Sequence, residues 1–212
     1  MNRIRFAYRI THINNIPNIM QVGIVSDTSS NANPNYISIG DPTAIETRRK
    51  KLLSDGSRIG DYIPFYFGPR TPMLYVIQKG YNGVKKQRPE DIVYCVIELS
   101  DIIRDNIDCV FTDGHALEKF SITYPKECLK QIDQLLSWDI LYTKNWKDEW
   151  DVRRKKQAEL LLREDLPAKY IKYYLVFNEA ARQKIVMMGA NEDMVIIPNP
   201  LDLYYYDTIH HR

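Results

Sequence analysis

The 212-residue sequence lacks the local motifs of several large enzyme classes. It has no Gly-rich phosphate loop, no His-Glu-x-x-His zinc motif, no Cys-x-x-Cys pair and no Gly-x-Ser-x-Gly elbow. It also has no apolar run of about 18 residues and no signal peptide, so neither a membrane span nor export is predicted. These absences predict a cytoplasmic protein without a metal site.

Cysteine is scarce, and the charges nearly balance. Cys95, Cys109 and Cys128 are widely spaced and odd in number, which is typical of buried free thiols in a reducing compartment. The net charge of +2 gives no overall attraction to nucleic acid, so a local basic patch would be needed. The 15 tyrosines suit a surface that stacks on flat ligands.

The sequence DYIPFYF at residues 61–67 is rich in aromatic and β-branched residues and predicts a strand bounded by Gly and Pro turns. Alternation gives a core face and a face towards a cleft: Ile63, Phe65 and Phe67 against Tyr62, Pro64 and Tyr66. Pro64 cannot donate to a ladder, which predicts an edge position or a bulge. The alternative is an ordinary core strand that faces no cleft, in which both tyrosine hydroxyls make hydrogen bonds within the protein.

A helix is predicted to begin at Asp41 as N-cap and to end before Gly56. Arg49 would then share one face with Leu52 and Leu53 and point to the buried side. A buried guanidinium needs a carboxylate or an anion, so a structural salt bridge and a functional anion contact both fit.

The segment before that helix is polar. Thr11 or Asn14 is expected to cap a helix over residues 16–22 that ends at Gly23, leaving free N–H groups for a ligand amide or phosphate. His12 is either a ligand contact, a surface histidine or a core histidine with its hydrogen bonds made within the protein. The Asn- and Ser-rich stretch from residue 26 to residue 41 predicts a long loop, either binding or mobile.

A basic run, Arg153, Arg154, Lys155 and Lys156, precedes Glu159. Read as a strand, the segment puts Gln157 and Glu159 on one face; read as a helix, it leaves Glu159 in solvent, and the strand is favoured. A helix is predicted from about residue 125 to residue 138. A strand–helix–strand tail is predicted over residues 173–197. The interleaved elements predict an α+β fold.

Five blocks of this chain resemble the DarT family of DNA ADP-ribosyltransferase toxins, and they occur in the family's order and spacing. The blocks are residues 8–15 (YRITHINN), 46–49 (ETRR), 61–75 (DYIPFYFGPRTPMLY), 110–115 (VFTDGH) and 154–160 (RKKQAEL). The third block is the most specific, and together the five span essentially the whole chain.

The resemblance implies one ADP-ribosyltransferase domain over residues 1–212, a split β-sandwich with flanking helices around an NAD cleft. It implies a toxin of a toxin–antitoxin system that transfers ADP-ribose from NAD to a base of single-stranded DNA, thymine in one branch. The implied partner is a DarG-like macrodomain antitoxin, and a monomer without membrane contact is expected.

The resemblance also implies site residues. Glu159 matches the catalytic glutamate, and Arg49 the essential arginine that binds NAD and assists proton removal from the base. NAD contacts are expected along the first strand and its surroundings: Arg9, Ile10, Thr11, His12, Asn18, Ser26 and Tyr66. DNA contacts are expected at His115, which opens the substrate-reading loop, and at Arg153, Arg154, Lys155 and Lys156. The basic run is otherwise a solvated face.

Three alternatives remain open from the sequence. The acceptor is guanine or a protein instead of thymine, or the chain is a catalytically silent module that binds NAD or nucleic acid on the same fold. Retention of both Arg49 and Glu159 argues against the silent module, because a binder does not need both.

Overall fold

The computed structural model describes residues 5–53 and 55–205 and contains an eight-stranded sheet. The strands are β1 Phe6–His12, β2 Ile63–Tyr66, β3 Ile92–Glu98, β4 Cys109–Thr112, β5 Thr123–Pro125, β6 Glu159–Leu162, β7 Ile171–Leu175 and β8 Val195–Ile196. Their order across the sheet is β5-β4-β6-β2-β1-β3-β7-β8. All neighbours are antiparallel except β7 and β8, the parallel pair of the predicted tail.

Helices flank the sheet, so the predicted α+β class is confirmed. They are α1 Ile16–Val22, α2 Pro42–Lys50, α3 Pro72–Lys79, α4 Leu99–Arg104, α5 Ile132–Leu135, α6 Trp138–Tyr142, α7 Trp150–Lys155, α8 Glu179–Met187 and α9 Pro200–Leu203. None of these helices is long and apolar enough to cross a bilayer. The single helix predicted near residues 125–138 is instead a 3-10 segment, Lys126–Gln131, followed by the short α5.

The two halves of the sheet meet between β1 and β2, where the only paired residues are Tyr8 and Tyr66. Pro64 therefore lies on an interior strand, and the prediction of an edge position is wrong. The Pro64 carbonyl accepts from Arg9 Nη1 at 3.0 Å, so it faces the β1 side. The N and O of one strand residue point the same way, so the missing N–H also faces the gap and costs no ladder bond.

Buried side chains pack against both faces of the sheet. The predicted core face of β2 is confirmed. Ile63, Phe65 and Phe67 are at most 1% exposed. Along β3 every residue but the last is buried, with Cys95 packed in one cluster and Tyr94 in the other. Each fully buried large apolar side chain contributes about 1.5–3 kcal/mol of transfer free energy.

All three cysteines are free thiols, as predicted, but the expectation of burial is wrong for Cys128, which is only partly buried. Cys95 and Cys109 are buried, and burial raises the pKa of each to about 12. A thiol with so high a pKa is an inert core group, because the thiolate is the reactive form.

Candidate active site

A cleft opens where β1 and β2 separate, and three adjoining cavities form it. The Tyr66 cavity, the Arg49 cavity and the Asn18 cavity have volumes of about 160, 330 and 380 Å³, and each is named for one residue in its wall. Arg9 and Tyr36 line all three. Because these walls are shared, the three cavities adjoin and form one cleft.

The polar loop between α1 and α2 forms one wall of the cleft. The buried Asn15 side chain exchanges two hydrogen bonds with the Ile37 backbone, each 2.9 Å, and donates to Thr11 Oγ1 at 3.0 Å. The Tyr36 hydroxyl also lies 3.1 Å from Thr11 Oγ1. The wholly buried Thr11 thus ties the loop to the end of β1.

Glu159 begins β6 and has no exposed surface. Its Oε2 accepts from Arg48 Nη1 at 2.8 Å and its Oε1 from the Ala116 amide at 3.0 Å. Its own amide donates to Thr112 Oγ1 at 3.2 Å. The first two bonds hold the carboxylate, which a buried charge requires, and the third holds the backbone of Glu159.

The arginine that meets Glu159 is Arg48. Its side chain is 13% exposed and lies in the walls of both the Tyr66 and Arg49 cavities. Its Nη2 is buried and has no hydrogen-bond partner among the described residues. An orphaned guanidinium N–H at a cleft wall is suited to an acceptor atom of a bound ligand.

The expectation that Arg49 points to the buried side is wrong. Its side chain is 56% exposed and pairs with Asp27 at 2.7 Å on the rim of the Arg49 cavity. The error follows from helix length, because α2 stops at Lys50 and Leu52 is 57% exposed. Leu52 and Leu53, which define the predicted inward face of Arg49, lie beyond the end of the helix.

Tyr66 and His115 complete the wall of the Tyr66 cavity. Tyr66 pairs with Glu159 across β2 and β6, and burial together with that carboxylate raises the pKa of Tyr66. Burial is the main reason that the pKa of His115 is lowered, although Glu159 acts in the opposite direction. At neutral pH, Tyr66 is therefore a neutral donor and His115 a neutral imidazole.

A sequence model described as "ssDNA thymidine ADP-ribosyltransferase, DarT" matches residues 8–205. The chain belongs to the DarT family. Membership makes it an NAD-dependent DNA ADP-ribosyltransferase, as the sequence predicted.

Relatives with curated names agree with DarT membership. A DNA ADP-ribosyl transferase of Escherichia coli O127:H6 is 32% identical over 183 residues, covering 84% of this chain and 83% of that protein. A fusion of DNA ADP-ribosyl transferase and DNA ADP-ribosyl glycohydrolase from Thermosipho africanus is 29% identical, covering 93% of this chain and 49% of the fusion.

Solved DarT structures share the fold. DarT of Thermus sp. 2.9 in complex with ADP-ribosylated single-stranded DNA has a TM-score of 0.83 at 28% identity, covering 97% of this chain and all of that one. The same protein with NAD⁺ has a TM-score of 0.77 at 27% identity, covering 95% and 98%. The predicted ADP-ribosyltransferase architecture is thereby confirmed.

The structure brings most of the predicted NAD contacts of this DarT chain to the cleft. The residues in its walls are Arg9, Ile10, Asn18, Ser26, Arg49 and Tyr66, with His115 beside them. Thr11 and His12 do not line it. His12 Nδ1 accepts from the Asn14 amide and caps the 3-10 turn Ile13–Asn15. The expected cap of α1 by Thr11 or Asn14 is wrong, because α1 follows Asn15 without a side-chain cap.

The basic run does not form the predicted row of DNA contacts. Arg154 is 6% exposed and pairs with Asp113 and Asp151, while Lys156 is 1% exposed and donates to the Leu141 carbonyl. The prediction of phosphate contacts is therefore wrong for these two. Arg153 is exposed and Lys155 partly so.

Sequence reasoning missed Arg48, Tyr36 and Asn15. Arg48 precedes Arg49, which the sequence favoured as the inward arginine. On a helix the two side chains point in directions that differ by about 100°. The contact between Asn15 and Thr11 joins the end of a strand to a 3-10 turn, and sequence spacing does not reveal it. Among the described residues there is no cluster of three or more metal-ligating side chains.

Proposed function

We propose that the chain transfers ADP-ribose from NAD to a thymine ring nitrogen of single-stranded DNA, with release of nicotinamide. The observation that carries the proposal is the Arg48–Glu159 pair, in which Arg48 lies in the cleft wall and Glu159 is buried directly behind it. A carboxylate in that place stabilises the positive charge that grows on the ribose as nicotinamide leaves.

The cleft residues fit NAD as a substrate. Arg9 in all three cavities and Arg49 at the rim provide positive charge for a dinucleotide phosphate pair. Asn18 and Ser26 line the Asn18 cavity and offer polar contacts. The end of β1 at Ile10, with Thr11 and His12 behind the wall, is proposed to hold the nicotinamide end.

The reaction exchanges one bond at the ribose anomeric carbon for another. The bond to the nicotinamide nitrogen breaks, a bond to the base nitrogen forms, and the base loses its ring proton. Arg48 holds Glu159 in position and offers Nη2 to a substrate oxygen. We assign Arg48 the inward role that the sequence gave to Arg49, and Arg49 a phosphate contact at the rim.

Proton removal needs a group with a free lone pair near the base. His115 lines the Tyr66 cavity, and burial keeps its pKa below the ordinary value, so its imidazole is neutral at physiological pH. His115 is therefore proposed as the proton acceptor. Its place beside Ala116, whose amide holds Glu159, couples the acceptor to the catalytic carboxylate.

The finer context is also a proposal. A single domain over residues 1–212, a monomeric state and a cytoplasmic location are proposed from the sequence. A DarG-like macrodomain antitoxin is proposed as partner. Support comes from the Thermosipho africanus transferase–glycohydrolase fusion and from a DarTG structure of that organism with ADP-ribose, which has a TM-score of 0.77 at 27% identity and covers 94% of this chain and 51% of that one.

The test is incubation of the purified chain with NAD and a panel of single-stranded oligonucleotides, followed by mass spectrometry. Addition of ADP-ribose to thymine-containing strands is expected. Products on strands that lack thymine, or on a protein acceptor alone, would instead support the guanine or protein alternative. If the chain bound NAD but gave no product on any acceptor, the result would support a catalytically silent binding module.

A further inference from the structure

A second pocket lies on the opposite side of α3 from the cleft. Met73 and Ile77 of this helix line the Tyr66 cavity, whereas Tyr75 and Lys79 line the second pocket. We call it the Lys147 pocket. It has a volume of about 410 Å³, and its other wall comes from residues 144–148, between α6 and α7.

The Lys147 pocket is strongly basic. Its cations are Arg70, Lys79, Lys144 and Lys147, against one carboxylate, Asp148. Lys144 pairs with Asp202 at 3.1 Å outside the wall. Neither Arg70 nor Lys147 has an ion-pair partner within the part of the chain that the structure describes. Two uncompensated cations in one concavity attract an anion.

Aromatic rings accompany these charges. The Lys147 ammonium lies 4.2 Å from the Tyr75 ring centroid and donates to the Tyr75 hydroxyl at 3.0 Å. The Arg70 guanidinium lies 4.3 Å from the Tyr205 ring centroid. Tyr81, half exposed, extends the aromatic surface 5.7 Å from Tyr75. Proteins that bind single-stranded nucleic acid combine two features: cations along the phosphate backbone, and aromatic rings on which bases stack.

We propose that the Lys147 pocket binds a nucleotide of the single-stranded DNA substrate that flanks the modified base. The inference rests on the proposed function, since DNA is the macromolecule that this cleft must receive. The pocket lies about one helix diameter, 10–12 Å, from the cleft across α3. Its rings favour a nucleic acid over an acidic protein, for which charge alone would suffice.

The pocket also accounts for DNA contacts that the basic run cannot supply. Arg154 and Lys156 are committed to internal partners, whereas Lys144 and Lys147 are exposed. Both exposed lysines lie in the segment that leads into α7 and then into Glu159. Single-stranded DNA bound by these lysines would therefore contact the segment that leads to the catalytic Glu159.

The experiment compares binding of short and long oligonucleotides, of about four and about 16 nucleotides, by the wild-type chain and by the variant Lys144→Gln/Lys147→Gln. The wild-type chain should bind the long strand more tightly, and the variant should lose that gain. The log–log salt slope should fall by at least about 0.7, which is the contribution of the one phosphate that Lys147, without an ion-pair partner among the described residues, no longer neutralises. The matched control, Lys130→Gln/Lys169→Gln, removes two exposed charges that line neither site.

Three results would overturn the assignment. One is a full length gain in the folded double variant, and another is an equal loss in the control. The third is loss of binding to a polyglutamate peptide with oligonucleotide binding unaffected, which would mark a protein-docking surface. Failure of the wild-type chain to modify any oligonucleotide would instead refute the proposed function, so the two failures are distinguishable.

Discussion

Replacing Arg48 and Arg49 one at a time tests the central feature of the site. Arg48→Ala leaves the Glu159 carboxylate buried, with the Ala116 amide as its one remaining hydrogen-bond donor among the residues that the structure describes. Removing one partner of a buried ion pair costs about 3–5 kcal/mol, because the remaining charge is uncompensated. Arg49→Ala breaks a pair in which both side chains are at least half exposed, so its stability should stay close to that of the wild-type chain.

The measurement is urea unfolding of both variants at neutral pH, compared by transition midpoint and slope. A double variant, Arg48→Ala/Glu159→Gln, provides the internal check, because it removes the stranded charge and should recover part of the loss. If Arg49→Ala cost as much stability as Arg48→Ala, the assignment of the inward arginine would be refuted.

The same two variants separate the two roles in catalysis. Arg48→Ala should lower turnover at saturating NAD, since it removes the group that positions Glu159 in the transition state. Arg49→Ala should mainly raise the KM for NAD, since a rim contact acts on binding. The opposite pattern would return the essential role to Arg49.

Four further changes have defined outcomes. Glu159→Gln keeps the shape of the side chain and should abolish ADP-ribose transfer while NAD binding by calorimetry changes little. His115→Gln should lower turnover and remove the fall in rate seen as pH drops through the lowered histidine pKa. Burial lowers the pKa of Lys156 to about 8, because the folded state disfavours its charge. The free energy of unfolding should therefore rise by about 3 kcal/mol as the pH increases from about 8 to about 10.5, the ordinary pKa of lysine. The variant Lys156→Met should not show this rise. Gly68→Ala places a Cβ 2.6 Å from the Leu141 carbonyl oxygen and should cost about 1–3 kcal/mol in thermal or urea unfolding.

Each of these outcomes has a contrary result. Wild-type turnover in Glu159→Gln would remove the carboxylate from the mechanism, and an unchanged pH profile in His115→Gln would remove the imidazole. A pH-dependent rise that persists without Lys156 would belong to other groups. For Gly68, a stable alanine variant would mean that the Leu141 backbone shifts without cost.

Local signals predicted much of the fold. Asp41 caps α2 as expected, with Oδ1 accepting from the amides of Thr43 and Ala44. Asn178 likewise caps α8 before the parallel strand β8. These features depend on a few neighbouring residues, so the sequence carries them directly.

The missed features depend on contacts that are distant in sequence. Helix α3 is an exception, because it was missed although its signals are local: Thr71 caps it, and Gly80 ends it in the left-handed region. The burial of Arg154 and Lys156 depends on Asp113 and on the Leu141 carbonyl, far along the chain. Resemblance found Glu159, but only the folded chain distinguishes Arg48 from Arg49.

The complete burial of Glu159 has a consequence for the choice of nucleophile. Breaking a glycosidic bond in water invites hydrolysis, which would consume NAD without modifying any base. A carboxylate with both oxygens occupied, by the Arg48 guanidinium and the Ala116 amide, leaves little room for water to be activated on it. We therefore expect this packing to favour transfer to the base over hydrolysis of NAD, even before an acceptor is bound.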